Sequence, residues 1–68
     1  MYRIKRTDHD PEYGKMEGYY TGNNEYGTLA EAYEYDSYDE AVSKMESERE
    51  YYTSTFPETH FKFRIEGE

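Results

Sequence analysis

A 68-residue chain with a formal net charge of −8 and no cysteine describes one small domain that neither a disulfide nor a thiolate metal site can reinforce. A chain this short buries only about 60% of the surface its unfolded form exposes, so a thin core is expected. The charge repels DNA, RNA and anionic lipid and attracts basic surfaces, and no segment approaches the run of about 20 apolar residues that a membrane-spanning helix needs.

Residues 2 to 7, YRIKRT, alternate with Tyr2, Ile4 and Arg6 on one face and Arg3 and Lys5 on the other, the pattern of a half-buried strand. The N-terminal MYRIKRTDHD places charges where a signal peptide has its apolar run, which points to a soluble, cytoplasmic protein. DHDPEYG reads as a loop punctuated by Asp, Pro11 and Gly. A second strand is expected over 15 to 21, with Met16, Gly18 and Tyr20 on one face. GNN at 22 to 24 and then Gly27 form a turn, and TLAEAYEY at 28 to 35 is read as a third strand with Leu29, Tyr33 and Tyr35 aligned, although Leu-Ala-Glu-Ala is good helix material.

Ser37 followed by Glu40 is a capping-box pattern and predicts a helix from about Tyr38 to Tyr52. Its apolar stripe comprises Tyr38, Ala41, Val42, Met45 and Tyr52, with the aliphatic stem of Arg49 along the gap. Pro57 stops the helix. HFKFRIE then alternates cleanly, with Phe61, Phe63 and Ile65 inward and His60, Lys62, Arg64 and Glu66 outward. The order β-β-β-α-β predicts an α+β domain, a small antiparallel sheet of three to four strands with one helix on one face. Its aromatic share, 19% with ten Tyr and three Phe, exceeds what disordered chains carry.

Candidate catalytic and metal groups are sparse. Asp8, His9, Asp10 and Glu12 contain residue types that ligate divalent cations, but no second histidine lies nearby in sequence, and they are read as a solvated acidic loop. Asp36, Asp39 and Glu40 lack the Gly and terminal Glu of a calcium loop. No nucleophile triad, phosphate loop or dinucleotide fingerprint is present. Neither an enzyme nor a cofactor or metal is expected.

The acid distribution is more informative. Between Glu25 and Glu58 there are ten carboxylates against Lys44 and Arg49, whereas Arg3, Lys5, Arg6, Lys62 and Arg64 fall on the terminal strands. If those strands pair, Arg3, Lys5, Lys62 and Arg64 share the outer sheet face and the molecule is bipolar. Along the helix Asp39, Glu46 and Glu50 face solvent, while Glu40 and Glu48 flank the stripe. Turns are about 5.4 Å apart, a spacing of the same order as that of phosphates along a nucleic-acid strand. The candidate partner-binding residues are therefore Tyr35, Asp36, Tyr38, Asp39, Glu40, Glu46, Glu48, Glu50 and Tyr51, the tyrosines supplying the aromatic anchors in which interfaces are enriched.

In layout, a strand-rich start, the acidic block AEAYEYDSYDEAVSKMESERE and the closing strand HFKFRIE, the chain resembles the small acidic proteins that bacteriophages and mobile elements direct against host defence, among them anti-CRISPR proteins and DNA mimics. The resemblance covers the whole chain and transfers no residue roles. It implies a stoichiometric inhibitor in the host cytoplasm whose partner is a basic nucleic-acid-binding protein such as a nuclease, with no direct contact to nucleic acid or membrane. The rival expectation is a structural module that self-associates, as a homodimer, through its sheet or sheet edge.

Overall fold

The alternation in the first residues works as a strand at the centre of the sheet. In the computed structural model, which describes residues 1–10, 12 and 14–67, β1 spans Tyr2–Asp10 and pairs antiparallel on both sides. On one side lies β2 (Gly14–Tyr20), in the register Lys5↔Tyr19 to Asp10↔Gly14; on the other lies β4 (His60–Gly67), with Tyr2↔Gly67 to His9↔His60. A two-residue β3 (Tyr26–Gly27) pairs with β2 and completes a four-stranded antiparallel sheet of order β3-β2-β1-β4. One helix, α1 (Tyr38–Thr55), packs across β4 and β1 on one face. The α+β class follows directly.

β1 continues three residues beyond the alternating YRIKRT, so Asp8 and His9 belong to a strand and not to a loop. Pairing on both flanks supplies a partner for each backbone donor and acceptor there, which outweighs the turn preference of Asp. Pro11, expected to punctuate the loop, lies outside the described residues. Gly14, at φ +83°, takes the left-handed position that short hairpins call for.

The third strand departs most from expectation. Thr28 and Glu31 form a second T-x-x-E cap: the Glu31 carboxylate accepts from the Thr28 amide at 2.9 Å and its hydroxyl at 3.0 Å. Leu29–Glu31 therefore winds into a short 3₁₀ turn, and the bonds donated by the Thr28 amide first and its hydroxyl second hold the Glu31 carboxyl below its ordinary pKa. Beyond it the chain crosses the end of the sheet. Tyr33 N–H donates to the Tyr20 carbonyl at 2.8 Å, and Tyr35 exchanges two backbone hydrogen bonds with Tyr2 at 2.7 and 2.8 Å. Gly22, at φ +98°, sits beneath the Tyr33 ring, where a Cβ would meet ring carbon at 2.8 Å.

α1 begins where Ser37 Oγ accepts from the Glu40 amide at 3.4 Å, and it runs three residues past Tyr52 before Phe56 caps it ahead of Pro57. Against the sheet it presents Ala41, which is 0% exposed, with Val42 and Met45 half-buried. Among the described residues the only other fully shielded apolar side chain is Ile4. Around them the packing is aromatic: the Tyr52 ring lies 5.3 Å from Phe61, 5.9 Å from Tyr26 and 6.0 Å from Phe56.

Candidate protein-binding surface

Which face each charge reaches is decided by the strand register. The even positions of β1 point toward the helix and the odd ones away. On the open face the register sets Lys5 opposite Arg64 and Tyr19, Thr7 opposite Lys62 and Glu17, and His9 opposite His60 and Lys15. Five basic side chains (Arg3, Lys5, Lys15, Lys62, Arg64) thus share this face with Glu17 and Glu66, while Glu34 reaches Arg3 at 3.6 Å, so the face is basic on a chain totalling −8. Local pairing tempers it. Lys15 and Lys5 approach Glu17 at 3.1 and 3.6 Å, and Tyr19 Oη and Arg64 Nε donate to Glu66 at 2.7 and 3.0 Å.

These contacts hold the Glu17 carboxyl below its usual range through Lys15 first, and the Glu66 carboxyl below it through the Tyr19 hydroxyl first. The same bond pushes the Tyr19 phenol up. Strand alternation separates the Asp8 and His9 side chains onto opposite faces, so they do not act as a joint ligand set. The register does bring His60 opposite His9, a neighbour invisible in the sequence. Among the described residues no group of three ligating side chains converges.

On the helix side Arg6 and Asp8 turn inward. The Arg6 guanidinium carbon lies 4.1 Å from the Tyr26 ring centroid, 4.9 Å from Tyr52 and 5.7 Å from Phe61, and Arg6 Nε approaches Asp8 Oδ1 at 2.8 Å, an ion pair without the angle of a hydrogen bond. Burial raises the Asp8 pKa, and the arginine opposes that shift. Gly18, opposite Arg6 in β2, makes the arrangement possible: a Cβ there would stand 3.2 Å from Tyr26 Cβ, in the space that lets the Tyr26 ring cross toward the guanidinium.

The nine candidate residues divide. Asp36, Asp39, Glu40 and Glu50 are exposed, and their carboxylates have no partner among the described residues. Glu46 is exposed and takes a 2.7 Å hydrogen bond from Arg49. Arg49 therefore lies outward with Glu46 and does not lay its stem along the apolar stripe. The stripe position is filled instead by Glu48, which is only 7% exposed and is withdrawn from the solvent row. Seven residues after Ala41 and four before Tyr52, it falls on the inward face, where Tyr26 Oη donates to its carboxylate at 2.9 Å and Lys44 stands 3.8 Å away. Burial, and then this bond, push the Tyr26 phenol far above its ordinary range.

Among the tyrosines, Tyr38 and Tyr51 are exposed, resting edge-on against Tyr2 and Tyr52. Tyr35 is half-buried beside Tyr33, and burial raises its pKa to about 12. No family model, no curated protein and no solved structure matches the chain. No helix of the described residues is long and apolar enough to cross a membrane. Sequence reasoning missed Arg6, Asp8 and Tyr26 as a linked group. The available signal was Gly18 in mid-strand, which marks a close approach.

Proposed function

We propose that the protein is a stoichiometric binder that occupies a basic, nucleic-acid-binding surface of a larger protein, such as a nuclease of a host-defence system, and competes there with nucleic acid. The observation carrying this reading is the run of exposed carboxylates at Asp36, Asp39, Glu40, Glu46 and Glu50, of which Glu46 alone is paired, on the side of the sheet opposite the clustered bases. Like charges left uncompensated destabilise a compact state, so a row of them on a domain with so little core favours a role in recognition. Complementary charge accelerates encounter, and the exposed rings of Tyr38 and Tyr51 beside the row slow release. The protein acts in the cytoplasm, the host's if it is phage-encoded, without cofactor or catalysis.

The test is capture from a bacterial lysate at low salt on the immobilised protein, followed by elution at about 0.5 M salt, where the Debye length shrinks below about 5 Å, and in parallel by competing duplex DNA. The proposal expects a nucleic-acid enzyme released by both. Partners indifferent to both contradict it.

The second reading is self-association, which β4 favours: it is an edge strand of eight residues that among the described residues pairs with β1 alone, and an open strand edge is a template for another strand. Sedimentation at micromolar concentration separates the two, since a strict monomer removes the second.

A further inference from the structure

Between the turn that joins β2 to β3 and the third turn of α1 lies a cavity of about 350 Å³, lined by Asn24, Ser47, Glu48, Tyr51 and Tyr52. That is near the lower end of the range of about 300–1,000 Å³ for ligand sites. Its chemistry is one-sided. The rings of Tyr51 and Tyr52 stand 5.2 Å apart at 88°, making an aromatic corner. Glu48, three and four residues earlier, places a carboxylate on the same side of the helix, and Ser47 with its hydroxyl and Asn24 with its amide complete the lining. Among the described residues no basic one lines it; Lys44 approaches Glu48 from the Tyr20 side, 5.2 Å from that ring.

Resting on the function proposed above, we infer that this cavity is the receptor for an arginine side chain of the basic partner. A carboxylate has about four acceptor positions; on Glu48 the Tyr26 hydroxyl takes one at Oε1 and Lys44 Nζ stands 3.8 Å from Oε2, so positions remain for a further donor. A guanidinium is flat, carries five N–H donors and stacks on aromatic faces, which matches two rings and three acceptor groups better than an ammonium does. The molecule already binds one guanidinium in this manner: Arg6 rests on Tyr26, Tyr52 and Phe61 against the Asp8 carboxylate. Tyr51, 59% exposed, is left to cover the incoming side chain. The acidic row steers the partner, and the cavity fixes one of its arginines in place.

The test is a nuclear magnetic resonance titration of the isotope-labelled protein with a short arginine-rich peptide at low salt, beside the same peptide with citrulline, the neutral isostere, in place of arginine. Signals of Asn24, Ser47, Tyr51 and Tyr52 should move with arginine and stay with citrulline. Tyr51→Ala and Glu48→Gln should each weaken the arginine peptide by about threefold or more, the lower end for an exposed cation–π contact. Gln at 48 still accepts from Tyr26. Should that variant fail to fold, Tyr51→Ala at its exposed position carries the test. Binding with unchanged affinity in Tyr51→Ala, and shifts confined to Asp39, Glu40 and Glu46, would overturn the cavity and leave the acidic surface standing. Equal binding of citrulline also overturns it. Binding of neither peptide overturns the cavity and counts against the acidic-surface reading as well.

Discussion

Replacing Arg6 by Met should markedly destabilise the protein at neutral pH, and the size of the effect follows from what the guanidinium touches. Methionine keeps the apolar contact with Tyr26, Tyr52 and Phe61 but removes the charge that lies 4.1 Å from the first ring and 2.8 Å from Asp8. The Arg6 and Asp8 side chains are 17% and 12% exposed, so the surviving carboxylate stays desolvated. Breaking a buried pair by removing one partner destabilises by about 3–5 kcal/mol; the residual exposure argues for the lower end, about 3 kcal/mol. A domain of this length has about 3–10 kcal/mol in total at about 0.05–0.15 kcal/mol per residue.

The loss must also depend on pH. Burial already raises the Asp8 pKa and Arg6 restrains it, so losing Arg6 raises it further. A raised folded pKa means that the favourable contribution belongs to the protonated form; it is complete below the unfolded pKa and fades as pH rises through the folded value. The deficit of Arg6→Met relative to wild type is therefore smaller at about pH 4 than at pH 7. Urea denaturation followed by circular dichroism, on both proteins at both pH values, measures it, and taking the difference at each pH removes the general response of the acidic surface. Adding Asp8→Leu should recover most of the loss at pH 7, because an apolar replacement of a buried pair is often neutral. A deficit under about 1 kcal/mol at pH 7, or one equal at both pH values, would refute the reasoning.

Three further outcomes are expected. Tyr26→Phe removes the donor to buried Glu48 and should cost about 1–3 kcal/mol in the same urea assay. Gly18→Val forces Tyr26 away from Arg6, since the first added carbon already meets Tyr26 Cβ at 3.2 Å; overpacking of this kind costs about 1–3 kcal/mol, and Tyr26→Ala in the same chain should relieve part of the crowding. Tyr19→Phe removes the largest influence holding the Glu66 carboxyl low. Its titration, followed by carbon NMR, should move up toward the ordinary value, and the stability that Glu66 contributes above its unfolded pKa should then be lost at a higher pH on acidification.

Elements whose partners are close in sequence, or whose pattern repeats without interruption, were legible from the residues. HFKFRIE alternates over its whole length and forms β4; Ser37 and Glu40 mark the helix start. What the residues concealed was decided by distant neighbours. TLAE carries the same cap signal as SYDE, but the aligned Leu29, Tyr33 and Tyr35 favoured a strand, and only the Glu31 hydrogen bonds to Thr28 show which signal wins. Helical spacing left Arg49 and Glu48 both eligible for the inward face, and the Tyr26 hydroxyl, 22 residues away, selects Glu48. Of the candidate surface, the exposure of Asp39, Glu46 and Glu50 was legible because it follows helix periodicity. The cavity was not, because Asn24 reaches it from another element.

The central claim is that the helix carboxylates recognise a basic surface that otherwise binds nucleic acid. Its most direct test uses two charge-altered baits in the lysate capture: one with Glu40, Glu46 and Glu50 changed to Gln, all exposed, and one with Lys62 and Arg64 changed to Gln on the opposite face. Both are first checked for a wild-type circular dichroism spectrum. The account predicts that the first bait loses the DNA-displaceable partner by at least about tenfold in affinity, on the order of 1.4 kcal/mol, while the second retains it. Equal capture by the first bait and wild type, or loss only in the second, would contradict it.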